Sequence, residues 1–128
     1  IKPVHSIEEI ELLQTRFPKE IILFLVLEND KTIAGTVMYL SNHVAHAQYI
    51  SANNQGKKAN ALDFLFDHLI NKEYSDKNIF DFGVVNHDEG INYGLSYWKE
   101  GFGARTYCHN FYDVETSKSH LLKKILPS

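Results

Sequence analysis

Residues 92–103 restrict the possible folds of this chain more than any other stretch, because a helical pattern is followed at once by a stop. The apolar side chains have the i, i+3, i+7 spacing that is typical of one helical face: Leu95, Trp98 and Phe102. Gly101 can take a positive φ, so we expect it to end the helix, with the next aromatic ring folding back over the last turn. Tyr97 and Lys99 belong to the other face, and the phenol projects from the final turn.

The remaining sequence alternates between strand and helix patterns. A capping-box pair, Ser6 and Glu9, opens a predicted helix at residues 7–17, which Pro18 ends. Residues 21–28 are apolar on both faces, which predicts a central strand that is covered on both sides. Periodicity and turn signals predict the other elements, which are strands at 32–40, 44–51, 79–82 and 105–113, loops at 52–57 and 83–90, and helices near 62–70 and 117–126.

This order of elements defines a fold class. Three consecutive strands precede a helix, and strand–helix units follow, which is typical of an α+β domain with a mixed sheet. The chain has 128 residues, enough for one hydrophobic core, so we expect residues 1–128 to form a single domain. Because the first residue is Ile1 rather than Met, we expect this domain to be the C-terminal part of a longer protein.

The stretch at 92–103 resembles the C-terminal signature of the GNAT acyltransferase superfamily. In that signature an Asn opens a helix, a Tyr lies near its end and Gly-Phe closes it, and the matching residues here are Asn92, Tyr97, Gly101 and Phe102. The run at 99–104 is most similar to bacterial GNAT proteins akin to FemAB and CelD. The resemblance covers roughly residues 21–113. It implies a three-layer α/β/α fold whose mixed, largely antiparallel sheet splays between strands 44–51 and 79–82 and admits acetyl-CoA as co-substrate.

The resemblance also implies a phosphate-binding loop. GNAT proteins carry Arg or Gln, two residues, Gly, one residue, then Gly or Ala, and the matching residues here are Gln55, Gly56, Lys57, Lys58, Ala59 and Asn60. Lys58 stands where the central Gly is expected and Asn60 where a small residue is expected, so the side chain of Lys58 would crowd the pyrophosphate. Two lysines beside the positive end of a helix are unfavourable without an anion. They fit either phosphate contacts or a solvated basic helix start. The resemblance places Asn92 beside the coenzyme as well.

The predicted strand at 44–51 borders the implied coenzyme gap. Simple alternation assigns its side chains to two faces, one with His46, Gln48 and Ile50 and the other with Ala45, Ala47 and Tyr49. The resemblance implies that backbone N–H groups polarise the thioester carbonyl oxygen near Tyr49, Ile50 and Ser51. Ordinary strand packing is the alternative explanation for each of these residues.

Proton transfer needs an acid and a base. Tyr97 is the expected general acid, because a phenol with a pKa of about 10 can protonate a thiolate whose pKa is about 8.5. The alternative is that its ring only packs. The polar loop after residue 82 supplies three candidate bases for the amine, His87, Asp88 and Glu89, and we choose Glu89. A solvated loop is the alternative for all three. Asp81 is either an inward carboxylate or a cap for this loop.

Composition and charge exclude several classes of partner. The formal net charge of −3 provides no basic field, which disfavours nucleic acid. The apolar run at 21–27 is far too short for a membrane span. The single Cys108 excludes an intrachain disulfide, fits a reducing cytoplasm and is expected to be a packed thiol. We expect no metal site, because His43 and His46 lie at an odd separation on a strand and no cysteine or carboxylate accompanies them.

Three functions remain open. The first is an acyl-CoA-dependent N-acyltransferase that moves an acetyl group from acetyl-CoA to a primary amine by direct attack. The second is one lobe of a FemAB-like aminoacyltransferase, which takes its acyl group from aminoacyl-tRNA and needs a second, similar lobe. The third is a non-catalytic GNAT-fold interaction domain, which the imperfect phosphate loop favours. The branch implies a small-molecule amine or a cell-wall or polysaccharide precursor as acceptor, and a second lobe or a homodimer as protein partner.

Overall fold

The computed structural model describes residues 3–87, 90–113, 115–118 and 120. Within them the chain forms an α+β fold, as the sequence predicts. The elements in chain order are α1 (Ile7–Arg16), β1 (Ile21–Glu28), β2 (Lys31–Leu40), β3 (Val44–Ala52), α2 (Asn54–Lys58), α3 (Ala61–His68) with a π-helical continuation (Leu69–Glu73), β4 (Ile79–Asp81), β5 (Asn86–His87), β6 (Gly90–Ile91), α4 (Tyr93–Glu100) and a 3₁₀ turn (Thr116–Lys118).

The main sheet is mixed, with the strand order β1-β2-β3-β4. The first three strands are antiparallel neighbours, and β4 runs parallel to β3. The predicted hairpin at 21–40 is confirmed. Its turn places Asn29 and Asp30 at φ 49° and 62°, a left-handed backbone that Asn and Asp tolerate better than most residues and that suits the twist of a two-residue hairpin turn.

Strand β1 lies at the edge of the sheet, so the prediction of a central strand is wrong. Its apolar residues divide between two faces. Phe24 and Val26 pack against the hydrophobic core, whereas the leucines on the other face remain 50–57% exposed, namely Leu23, Leu25 and Leu27. The apolar side chains on both faces of β1 were therefore not a reliable sign that this strand lies in the middle of the sheet.

Strand β3 contains a bulge at Gln48 that changes which side chains face the core. Val37 pairs with Tyr49 and Met38 pairs with Ala47, so three residues of β3 lie opposite two of β2. An extra residue reverses the alternation that follows it. Ile50 therefore joins Ala45 and Ala47 on the core face, and Tyr49 joins His46 on the opposite, second face. The predicted alternation is correct up to Gln48 and wrong for Tyr49 and Ile50.

Helices α3 and α4 cover the core face of the sheet. Phe66 of α3 is fully buried, and its ring centroid lies 5.2–6.2 Å from four other rings, those of Phe80, Phe82, Trp98 and Phe102. The helical spacing predicted for α3 and α4 is thus confirmed, because it brings Phe66 of α3 into contact with Trp98 and Phe102. Helix α1 has its predicted capping box between Ser6 and Glu9 but contains no fully buried residue.

Helix α4 ends at Glu100 with Gly101 as its C-cap, where the sequence predicts, but the backbone shape of the stop differs. Gly101 has φ −58° and ψ −25°, so the prediction that it takes a positive φ is wrong. Its N–H donates to the carbonyl of Tyr97 at 3.0 Å, and the N–H of Gly103 donates to the carbonyl of Glu100 at 2.9 Å. Gly103 then turns the chain with φ 92°. Phe102 folds back as predicted, with its ring centroid 5.2 Å from that of Trp98.

Four other predicted elements differ from the structure. The loop at 52–57 contains helix α2, and the loop at 83–90 contains β5 and β6. Residues 105–113 form no strand, and their aromatic side chains are largely exposed, because no neighbouring strand pairs with them in the described part of the chain. Where a helix was predicted at 117–126, the structure has a 3₁₀ turn at Thr116–Lys118. Most of the remaining predicted helix, residues 119 and 121–126, lies outside the described residues.

Across the described ranges, no helix has the length and apolar character needed to cross a membrane.

Candidate functional site

The candidate site is the place where β3 and β4 stop pairing. Their parallel register covers only three residue pairs, the last of which is His46 with Asp81. Strand β3 continues to Ala52, and the chain after Asp81 leaves the ladder. From Ala47 onward this edge of β3 has no strand partner in the described part of the chain. A gap between two parallel strands leaves backbone donors and acceptors available to a ligand.

A buried ammonium group holds the chain where it leaves β4. Lys99 is 5% exposed, and its Nζ atom donates to the backbone carbonyls of Phe82, Gly83 and Val84 at 2.6, 3.3 and 2.8 Å. Burial lowers the pKa of Lys99, and the charge of Asp81 opposes that shift. The sequence placed Lys99 on the outer helix face, which is wrong. The reason is that these three backbone carbonyls need hydrogen-bond donors, and the long side chain of a lysine can reach inward to provide them.

Beside the gap, the second face of the sheet, which is the one opposite the core, carries a hydrogen-bonded chain of three polar side chains. His46 Nδ1 lies 2.7 Å from Asp81 Oδ2, and His46 Nε2 lies 3.0 Å from Gln48 Oε1. The N–H of Gly83 donates to Asp81 Oδ1 at 2.8 Å. Burial alone would raise the pKa of Asp81, but the hydrogen bonds from Gly83 and His46 and the charges of His46 and His109 hold it below its ordinary value. Asp81 therefore caps the following loop, one of the two roles that the sequence left open. It is not an inward carboxylate, because its side chain is 46% exposed and faces away from the core side taken by Phe80 and Phe82.

Two phenols lie beside this chain on the second face. The hydroxyl of Tyr49 is 2.7 Å from His5 Nδ1 and accepts from the N–H of His5 at 3.2 Å. The hydroxyl of Tyr39, opposite His46 in the ladder, is buried without a hydrogen-bond partner among the described residues. Burial raises the pKa of Tyr39, with a further contribution from Tyr49. The bulge at Gln48 is what gathers Gln48, Tyr49 and His46 on one face.

A cavity of about 210 Å³ lies on the helix side of the sheet, between the end of β3, the α2–α3 turn and Trp98. It takes in three of the six predicted phosphate-loop residues, Gly56, Lys57 and Asn60. Asn60 has the left-handed φ of 52° and gives α3 no side-chain cap, so the first N–H groups of α3 remain available to a ligand. Gln55, Lys58 and Ala59 do not line this cavity.

Gly56 has a packing role that the sequence did not reveal. A Cβ atom on residue 56 would stand 2.1 Å from the carbonyl oxygen of Ile33, so only glycine fits where α2 lies against β2. Asn53 caps α2 by accepting from the N–H of Gly56 at 2.8 Å. Gln55 is held by a hydrogen bond from its side-chain amide to the carboxylate of Glu28. These contacts account for both motif residues without a coenzyme.

The two lysines lie at the end of a helix rather than at its start. Lys57 and Lys58 form the last turn of α2, where the negative end of the helix dipole favours cations. The expectation that they need an anion to offset a positive helix end is therefore wrong. The carboxylate of Asp63 also lines the cavity and accepts from Trp98 Nε1 at 2.6 Å, so the cavity contains charges of both signs.

The structure does not bring Tyr97 into the gap. Its side chain is 83% exposed and does not line the cavity at the start of α3. Tyr97 and Lys99 are two residues apart, so their side chains point about 160° apart around the helix axis. Because Lys99 reaches the backbone beside the gap, Tyr97 points away from it. Asn92 is the N-cap of α4 and accepts from the N–H of Leu95 at 3.0 Å. Glu89 and Asp88 lie outside the described residues.

Other residues singled out in the sequence take separate positions. His43 Nδ1 lies 2.9 Å from Asn78 Oδ1, so His43 and His46 have different partners. No group of three or more His, Cys, Asp or Glu side chains within the described ranges is placed to hold a metal ion. Cys108 is exposed, so the expectation of a packed thiol is wrong, and the absence of a strand at 105–113 explains it.

The pair of His46 and Asp81 is the feature that sequence analysis missed. Each residue was noticed alone, but neither was joined to the other. The sequence did contain a signal for this pair, since both residues are polar and lie in two strands that were predicted to be parallel neighbours. Pairing them would have required the register, which places them directly opposite each other.

Comparison with known proteins finds no matching family model, no matching curated protein and no matching solved structure. Function is therefore inferred from the geometry of the gap and from the resemblance in the sequence.

Proposed function

We propose that this domain is an acyl-CoA-dependent N-acyltransferase with a GNAT-like fold, which transfers an acetyl group from acetyl-CoA to a primary amine. One observation carries the proposal. The parallel pairing of β3 and β4 ends at His46 and Asp81, whereas β3 continues to Ala52 beside a cavity at the start of α3. A pantetheine chain in this gap would hydrogen-bond to the free edge of β3.

The coenzyme would lie along the helix side of the gap. Its pyrophosphate would face the first N–H groups of α3 and the ammonium group of Lys57, since both attract anions. The left-handed Asn60 gives the turn before α3 a backbone shape that glycine adopts easily. The thioester carbonyl oxygen would face backbone N–H groups in the stretch Tyr49–Ser51. Donors of that kind stabilise the negative charge that develops on the oxygen.

The reaction is a direct attack. The amine nitrogen forms a bond to the carbonyl carbon, and the carbon–sulfur bond breaks, so that one proton must travel from nitrogen to sulfur. Tyr97 is the candidate acid that the resemblance supplies. Its exposed hydroxyl serves in that role only if the sulfur of the bound coenzyme reaches the outer side of α4. The acceptor class, a small-molecule or cell-wall or polysaccharide-precursor amine, and a cytoplasmic location also rest on the resemblance.

A non-catalytic interaction domain is the second candidate, and specific contacts favour it. Gly56 and Gln55 are explained by packing and hydrogen bonding, and Lys57 and Lys58 are explained by the α2 dipole. Asp63 adds a negative charge where a phosphate would lie. The FemAB-like lobe remains the third candidate and differs from the first in its acyl donor, aminoacyl-tRNA.

Thermal unfolding with acetyl-CoA tests the proposal. At a concentration of about 100 times its Kd, a ligand that binds only the folded state adds about 2.7 kcal/mol of stability, which is a measurable rise in Tm. We expect Lys57→Glu to remove this rise. The matched control is Lys72→Glu, which reverses an exposed charge in the π-helical turn, outside the lining of the cavity, and should keep it.

Two other outcomes of this experiment would lead to different conclusions. If the parent protein shows no rise in Tm at millimolar acetyl-CoA, the proposal fails and the interaction domain or the tRNA-dependent lobe takes its place. If Lys57→Glu retains the full rise, acetyl-CoA binds away from the α2–α3 cavity.

A further inference from the structure

We infer that His46, oriented by Asp81 and supported by Gln48, carries the proton from the acceptor amine to the leaving thiolate on the second face of the gap. This inference rests on the proposed acyl transfer. It gives one residue, His46, the two proton-transfer roles that the sequence divided between Glu89 as base and Tyr97 as acid. It also predicts that the acceptor enters from the second face, opposite the cavity at the start of α3.

Two hydrogen-bond partners fix the orientation of the His46 ring, Asp81 at Nδ1 and Gln48 at Nε2. Asp81 is fixed by the N–H of Gly83 at 2.8 Å, so its other oxygen has a defined position 2.7 Å from His46 Nδ1. A carboxylate there holds the proton on Nδ1, so the proton exchanges at Nε2 once an entering amine replaces the hydrogen bond to Gln48 Oε1. The two side chains are 30% and 46% exposed, so an acceptor can reach the imidazole from solvent.

Gln48 suits both protonation states of the imidazole. Its Oε1 lies 3.0 Å from His46 Nε2 and accepts a hydrogen bond when that nitrogen carries a proton. When Nε2 is deprotonated, a half-turn of the amide presents an N–H donor in the same place, because the amide oxygen and nitrogen exchange positions. An apolar side chain or a carboxylate at this position would favour only one state. The bulge in β3 is centred on this residue.

The surrounding charges favour an amine. Asp81 provides the nearest negative charge, and His109 contributes the opposing charge that acts on it. The ammonium group of Lys99 is occupied by three backbone carbonyls. Other titratable groups on this face include the buried phenol of Tyr39, the phenol of Tyr49 and the imidazole of His5, which lies 2.7 Å from the Tyr49 hydroxyl. An amine, which accepts or carries a proton, therefore complements this face better than a carboxylate does.

The proton step balances without an external reagent. The neutral amine attacks the thioester carbon, and its nitrogen becomes positively charged and acidic as the nitrogen–carbon bond forms. His46 Nε2 takes that proton. When the carbon–sulfur bond breaks, the electron pair remains on sulfur, and the imidazolium returns the proton to the thiolate. The products are an amide and free coenzyme A, and His46 ends in its starting state.

The test compares acetyl transfer by the parent protein and by His46→Gln across a panel of primary amines, including a polyamine, lysine and a hexosamine. We expect His46→Gln to lower kcat by roughly 10²-fold or more, the usual contribution of a positioned acid–base group. KM for acetyl-CoA should stay within a few-fold, because His46 does not line the cavity at the start of α3 that would hold the pyrophosphate. Asp81→Asn should lower kcat as well, and Gln48→Met should shift the pH profile of kcat/KM.

The control is His43→Gln, whose partner is Asn78 rather than Asp81, and it should retain parent activity. Circular dichroism and Tm establish that each variant is folded, and His46→Gln carries the test if Asp81→Asn does not fold. Transfer by His46→Gln within three-fold of the parent overturns the inference and leaves the proposed function standing. Binding of acetyl-CoA without transfer to any amine overturns both.

Discussion

The ammonium group of Lys99 lies 2.6 Å from the carbonyl oxygen of Phe82, so a buried cation on α4 fixes the backbone that follows β4. Two further carbonyls share the same donor. These carbonyls directly follow the last pair of β3 with β4, and the N–H of Gly83 between them donates to Asp81. A lysine in the last turn of a helix therefore holds the backbone that borders the gap.

The first prediction concerns this lysine. Lys99→Met keeps the length of the side chain but removes its donors, which leaves three carbonyls without their partner. We expect the free energy of unfolding to fall by about 2 kcal/mol or more, since losing a hydrogen bond to a charged group costs about 1.5–3 kcal/mol. Urea unfolding measures the change. Lys72→Met, at an exposed position, is the control and should change stability by less than about 0.5 kcal/mol.

The second prediction compares two glycines. Gly56→Ala places a Cβ atom 2.1 Å from the carbonyl oxygen of Ile33, and we expect a loss of at least about 2 kcal/mol, because neither backbone can yield without moving α2. Gly94→Ala is the matched control in α4, where the nearest atom is Asn92 Oδ1 at 3.6 Å. It should raise stability by about 0.5–1 kcal/mol, since alanine is the better helix former. Equal effects of the two changes would contradict the packing described for α2.

The third prediction concerns acid. The pKa of Asp81 in the folded protein is held below its ordinary value of 3.8. The resulting stabilisation is fully present above that ordinary value and is lost as the pH falls through the lower, folded pKa. Asp81→Asn removes it at every pH, so the stability difference between parent and variant should be largest near neutrality and shrink at acidic pH. Urea unfolding at pH 7, 4 and 3 measures it, and a difference that does not change with pH would count against the coupling of Asp81 with Gly83 and His46.

Much of the fold followed from the sequence because its signals are local. The capping box of α1, the turn at 29–30 and the apolar periodicity of α3 and α4 each depend on a few neighbouring residues. The hairpin at 21–40 and the third strand were predicted for the same reason. The parallel neighbour at 79–82 came instead from the resemblance, and the structure confirms its pairing with β3.

The rest depended on information that is not local. The edge position of β1 and the lack of a strand at 105–113 are set by which strands find partners, and an apolar run does not specify a partner. The bulge at Gln48 inverted Tyr49 and Ile50 because one extra residue changes the face of everything after it. Helical spacing assigned Lys99 to the outer face of α4, and the three backbone carbonyls that its ammonium group reaches explain why it is buried.

The candidate site was predicted in part. The cavity at the start of α3 includes Lys57 and Asn60, which the motif identified, but the motif did not show that Gly56 is needed for packing. The pair of His46 and Asp81 needed the register of two strands that are 35 residues apart in the chain. Long-range register is the information that single-sequence patterns carry least.

The fourth prediction concerns Tyr97, whose ring is 83% exposed. If Tyr97 were the general acid, Tyr97→Phe would lower kcat by roughly 10²-fold or more and leave coenzyme affinity intact. Because its side chain points away from the gap and His46 can return the proton, we expect Tyr97→Phe to retain activity within a few-fold of the parent. Initial rates of acetyl transfer by the two proteins decide this. A large loss would return the acid role to Tyr97.

The measurement that tests the central claim most directly is a titration of the ¹⁵N-labelled protein with acetyl-CoA, followed through its backbone amide signals. If the domain holds acetyl-CoA in the gap, the largest shifts should fall on two stretches, the β3 edge at 49–51 and the start of α3 at 60–63, and Lys57→Glu should weaken them. Signals of α1 should not move. An unchanged spectrum at millimolar acetyl-CoA, or shifts confined to α1 and the exposed leucines of β1, would contradict the proposal that this domain is an acyl-CoA-dependent transferase.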